Sequence, residues 1–196
     1  MWAYHELVNQ PSAKFEEVDN VLRQIRRTDP TAKVLVFSHE NDVLDLLADF
    51  LWTRPPPSYS TGMITLKGGM SVNERRDRQR EFQEMRSKWL CLCSPLVCGV
   101  GVNLHAANHI LFMEPFEEEA AEMQAICRLL RMGQAKQVQV TQLFVRGSVE
   151  ERILQLRREQ QKDSAYSFGG TVCKGGEDRE QDKFIFGVED IRRPKD

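Results

Sequence analysis

Three side chains in the second half of the chain are the first to suggest chemistry. Gln124, Arg128 and Arg131 recur at i, i+4 and i+7, a spacing that puts all three on one face of a helix. Met123, Ile126, Cys127 and Leu130 fall on the other side. One side of such a helix can pack on a core while the other presents an amide and two guanidiniums. Guanidiniums are permanently charged forks that match the oxygens of a triphosphate. A solvated basic face on an amphipathic helix is the other reading of the same spacing. Upstream, Gly99 and Gly101 mark a loop that follows an apolar run. No third glycine arrives at dinucleotide-binding spacing, so a dehydrogenase-type site is set aside.

The bulk properties narrow the field. A chain of 196 residues suits one domain with short appendages. Its net charge of -2 and pI of about 6.1 supply no general basic field, so any contact with nucleic acid must come from local patches. Of the five cysteines, four lie in apolar runs and read as small buried hydrophobes. Cys91, Cys93 and Cys98 are poorly spaced for zinc, and no second pair stands near them. No apolar run is long enough to span a bilayer, and the N-terminus lacks a secretory pattern.

The elements that must position these residues follow in order. After a lead-in at 1–11, Ser12 opens a helical pattern carried by Phe15, Val18, Leu22 and Ile25, on which Lys14 reads as solvated. Residues 33–37 form a short apolar run bounded by polar residues and are expected as a buried parallel strand, 89–93 as a further buried strand, and 63–66 and 110–113 as strands of the same sheet. Ser38 and His39 end the first of them, where ligands gather in open α/β sheets. His39 reads equally as a helix-start residue. Ser71 and Glu74 form a capping box before a helix rich in arginine, and Gly147, Ser148 and Glu151 mark a second turn and cap. Residues 137–145 are expected as a strand nearer an edge. Val149, Ile153 and Leu156 are expected as the inner stripe of a helix ending near Asp163. The remainder, 164–196, reads as a largely disordered tail, with 169–182 its most polar, glycine-rich part and Phe184 to Phe186 a docking segment.

The ordered stretch resembles the C-terminal half of Swi/Snf-type superfamily 2 helicases and DNA translocases. The matching residues are Gly99, Gly101, Asn103, Leu104 and Ala106 to His109, then Glu114-Pro115, then Gln124 through Arg131-Met-Gly133-Gln134; the match spans about 12–163. The fold it implies is α/β: a single RecA-like lobe, a parallel-rich sheet with helices on both faces, closed by helix 149–163. It implies nucleotide contacts from Gly99, Gly101, Asn103, Arg128 and Arg131, and DNA contacts from Ser38, His39, Arg75, Ser94 and Asn108. Arg131 would act as an arginine finger, with Arg128 assisting and Gln124 positioning nucleotide or water.

Three positions depart from the family pattern. Lys67 stands where the family has an acidic residue, and Cys98 where it usually has a glycine. Phe116-Glu117-Glu118-Glu119 replaces Trp-Trp-Asn-Pro. Carboxylates beside a phosphate backbone weaken its binding; in the first turn of a helix they also complement its dipole. Both readings stay open. The phosphate loop Gly-x-x-x-x-Gly-Lys-Ser/Thr and the Asp-Glu-x-His sequence do not occur, and in the family they belong to the first lobe. The expectation is therefore a second lobe alone, a fragment or a truncated product, inactive by itself. It would share ATP and magnesium with a first RecA-like lobe that holds both. Its partners would be that lobe and double-stranded DNA or chromatin, with no membrane, in the nucleus. The alternative is a non-catalytic DNA- or protein-binding module that keeps the lobe as a platform.

Overall fold

The computed structural model describes residues 12–55, 59–98, 104–116, 122, 126, 138–163 and 184–191. Helix α1 (Ala13–Thr28) is capped by Ser12, whose hydroxyl accepts the Phe15 N–H at 3.3 Å. The chain continues through β1 (Val34–Phe37), α2 (Asn41–Trp52), the single-turn α3 (Tyr59–Gly62) and β2 (Met63–Leu66). Next come α4 (Val72–Glu84), β3 (Leu90–Cys93), the single-turn α5 (Pro95–Cys98), β4 (His109–Phe112), β5 (Val138–Val145), α6 (Val149–Asp163) and β6 (Phe184–Ile191). The strands form one sheet in the order β2-β3-β1-β4-β5-β6. The first five are parallel and β6 runs antiparallel along the whole of β5. The segment expected as a docking piece in a disordered tail is thus a strand at the edge, and β5 is flanked on both sides. Residues 169–182 lie outside the described residues.

Both faces of the sheet are covered, which is why β1, β3 and β4 read as unbroken apolar runs. Leu35, Phe37, Cys91, Cys93, Ile110 and Phe112 point to one face, under Phe82 of α4 and Val97 of α5. Val34, Val36, Leu90, Leu92 and Leu111 point to the other, under Val18 and Leu22 of α1 and Leu44, Leu47 and Leu51 of α2. Each such side chain contributes about 1.5–3 kcal/mol on leaving water. Cys91 and Cys93 are thiols and fully buried, and Cys93 Sγ donates to the Val36 carbonyl at 3.7 Å.

Two close approaches explain local sequence choices. A Cβ on Gly62 would stand 2.2 Å from the Trp89 indole nitrogen, so only glycine fits beneath that ring. Gly69 turns the chain into α4 at φ +86°. Where α1, α2 and α3 meet, buried Asp19 accepts from Tyr59 Oη at 2.6 Å and from Arg23 Nε at 2.9 Å. Burial first, then that hydrogen bond, pushes the Tyr59 phenol far above its ordinary range and keeps it a donor.

Helix α6 departs from its expected orientation. Val149 and Leu156 are 71% and 42% exposed. The half-buried positions described are Glu150, Glu151, Ile153, Leu154 and Arg157, a face that keeps Ile153 but turns the other two residues of the apolar stripe outward. The turn before α6 sets this. Ser148 Oγ donates to the Val145 carbonyl at 2.5 Å, Glu151 accepts from the Gly147 N–H at 2.7 Å, and Glu150 accepts from the Val145 N–H at 2.8 Å. Glu150 also pairs with Lys14, which is therefore not solvated as expected but ties α1 to α6.

Candidate site at the carboxyl ends of the strands

β1 leads toward β2 on one side of the sheet, and its neighbour β4 leads toward β5 on the other. Where neighbouring connections part, the strand ends leave a crevice in which α/β proteins bind ligands. Three chain segments meet there. The Met113 N–H donates to the Phe37 carbonyl at 2.9 Å, and the Ser38 N–H to the Cys93 carbonyl at 3.4 Å, which joins the tips of β4, β1 and β3. The His39 N–H donates to Glu114 Oε1 at 2.5 Å, a charge-assisted bond across the parting of the chain. The His39 ring stands edge-on to Phe116 at 4.3 Å between centroids, and Phe116 in turn packs on Phe112 at 5.1 Å.

These contacts sort the residues expected at a DNA or nucleotide surface. His39 is exposed, its backbone fixed by Glu114 and its ring by Phe116. Ser38 and Ser94 flank it at the tips of β1 and β3, both 2% exposed. The Ser38 hydroxyl accepts the Glu40 N–H at 3.3 Å, which opens α2. Arg75 lies in the first turns of α4, whose capping box is formed as expected: Glu74 accepts the Ser71 N–H at 2.9 Å. Arg75 is half-buried, and its Nε is shielded without a hydrogen-bond partner among the described residues. Asn108 is not brought to this group. It precedes β4, at the opposite end of the sheet, and is 5% exposed with its Oδ1 accepting the Lys33 N–H at 3.1 Å. Gly99, Gly101, Asn103, Gln124, Arg128 and Arg131 lie outside the described residues.

Glu114 has a larger part than the sequence suggested. In sequence it was only half of a Glu-Pro pair; in space its carboxylate holds the loop that presents His39. The available signal was a carboxylate just past a buried strand, where little but the crevice is within reach. Among the described residues no three His, Cys, Asp or Glu side chains converge to hold a metal, so none is assigned to magnesium.

The same lobe is found in known proteins. Residues 13–133 match the helicase conserved C-terminal domain. DNA repair protein RAD5 of Gibberella zeae is 35% identical over 185 residues, 94% of this chain and 15% of that protein. Chromatin-remodeling ATPase INO80 of Drosophila melanogaster is 32% identical over 148 residues, 76% of this chain and 9% of that protein. The crystal structure of the C-terminal part of the Fun30 ATPase domain superposes with a TM-score of 0.67 at 32% identity, covering 74% of this chain and 45% of that one. The chain belongs to the helicase conserved C-terminal domain family and is a RecA-like lobe of the Swi/Snf type. It spans less than a sixth of the length of these curated relatives.

Proposed function

We propose that this chain is the second lobe of an ATP-dependent DNA translocase of the chromatin-remodelling or DNA-repair kind, working in the nucleus with a first RecA-like lobe of the same enzyme. The observation that carries the reading is the crevice between the tips of β1 and β4. There an exposed His39 is held by Glu114 and Phe116 beside Ser38 and Ser94, in a chain of the helicase C-terminal family. Such an arrangement offers a rigid polar edge to a nucleic-acid backbone or to a nucleotide held opposite.

ATP is the substrate, and magnesium, held with it mainly by the first lobe, neutralises phosphate charge when bound. The Arg131 guanidinium then opposes the charge that develops on the transferred phosphoryl group, with Arg128 on the same helical face and Gln124 orienting nucleotide or water. An arginine finger is worth about 10³–10⁵ in rate. In the chain joined to a first lobe, Arg131→Ala should abolish DNA-stimulated ATP hydrolysis while sparing nucleotide binding. Undiminished turnover would refute the assignment.

A second reading, a docking module without catalysis, is favoured by Glu117 in place of the family's second tryptophan, followed by Glu118 and Glu119, and by the exposed Val149 and Leu156 of α6. Mixing the chain with a separate first lobe separates the two. Restored hydrolysis supports the translocase, and binding without hydrolysis supports the module.

A further inference from the structure

Helix α6 is anchored twice on one face. Near its start, Glu150 binds the Val145 N–H of β5 and the Lys14 ammonium of α1. Seven residues on, Arg157 Nη1 donates to Glu122 Oε2 at 2.7 Å, with the two side chains 12% and 18% exposed. The other nitrogens of that guanidinium, Nε and Nη2, are shut away from solvent and meet no acceptor among the described residues. Among the described residues Glu122 alone compensates this largely desolvated cation. For packing alone this is a poor solution, since apolar side chains of similar size in place of both partners would serve as well or better. What the pair does provide is a fixed position for Glu122.

Glu122 stands two residues before Gln124 and nine before Arg131. Ile126, in the same segment, is helical and buried at 3% in the core. Two described residues are thus fixed from different directions: Ile126 in the core against the sheet and Glu122 on α6. We propose that Arg157 is a positioning residue, which through Glu122 sets the segment bearing Gln124, Arg128 and Arg131 against α6, itself referenced to β5 and α1. This rests on reading Arg131 as the finger.

The test uses the chain joined to a first lobe and compares Arg157→Leu, Glu122→Gln and the exchanged pair Glu122→Arg with Arg157→Glu. A catalytic group displaced by about 1 Å can lose about 10²-fold in rate. Each single variant should lower kcat by about tenfold or more, with little change in KM for ATP, and the exchanged pair should recover most of it. Either single variant strands the other partner's charge and should lower the melting temperature as well, so kcat is read per folded molecule. Full kcat in both Arg157→Leu and Glu122→Gln, alongside a dead Arg131→Ala, overturns the positioning role and leaves the finger intact. Losses that the exchanged pair fails to repair overturn it as well. Full turnover in Arg131→Ala overturns both readings together.

Discussion

The two ends of the parallel sheet carry similar polar residues and use them differently. At the amino end, Asn108 is buried and accepts from the Lys33 backbone. The Lys33 ammonium lies over the Phe82 ring and donates to the Phe82 carbonyl and, at 3.0 Å, to that of Met85, closing the last turn of α4. Burial lowers the Lys33 pKa, because loss of water disfavours the charged ammonium. At the carboxyl end, Glu114 secures a backbone N–H and leaves the His39 side chain facing outward. Polar groups turned inward hold strands together, whereas one braced from behind and exposed is available to a partner.

That contrast can be broken experimentally. Asn108→Ala strands a buried N–H and should destabilise the lobe by about 1–3 kcal/mol, read as a lower denaturation midpoint, while turnover per folded molecule is unchanged. A loss of DNA stimulation without loss of stability would move Asn108 back among the DNA contacts. His39→Ala should do the reverse. Its backbone donor survives, so stability should move by no more than about 0.5 kcal/mol, while DNA affinity of the two-lobed protein should fall by on the order of 1 kcal/mol. Titration of labelled duplex at fixed salt measures this, and unchanged affinity would leave the crevice without a DNA role.

The smallest effect is expected at the mouth of α4. Chiefly the Ser71 backbone N–H, together with its hydroxyl, holds the Glu74 carboxyl below its usual 4.5. The folded state therefore favours the ionised form. The resulting stability is fully present above the unfolded value and is lost as pH falls through the lower folded value. Glu74→Gln should melt slightly below the parent at pH 6, and the difference should close in acid. A gap that persists at low pH would mean the carboxylate charge is not what matters.

Much of this architecture is written locally. The strand at 90–93, the Ser12 cap and the Ser71 capping box follow from patterns a few residues long, because a strand buried on both faces or a capped helix declares itself in its own composition. The order of motifs from Gly99 to Gln134 declared the family in the same way. Other features needed the assembled chain. Val149, Ile153 and Leu156 make a plausible apolar stripe, yet Glu150 and Arg157 take the inner face because Val145, Lys14 and Glu122 wait there as partners. Asn108 belongs to a matching motif, yet strand direction carries it to the far end of the sheet.

The sequence by itself determined the strands from β1 to β5 and the long helices, though not β6, and which family's lobe they build, since these depend on residue type and short spacing. Only the tertiary structure decided which polar side chains are consumed in holding it together and which face a partner. A charge or an amide is buried or exposed according to what the fold brings beside it, and the partners of Arg157, Lys14 and Asn108 lie 35, 136 and 75 residues away.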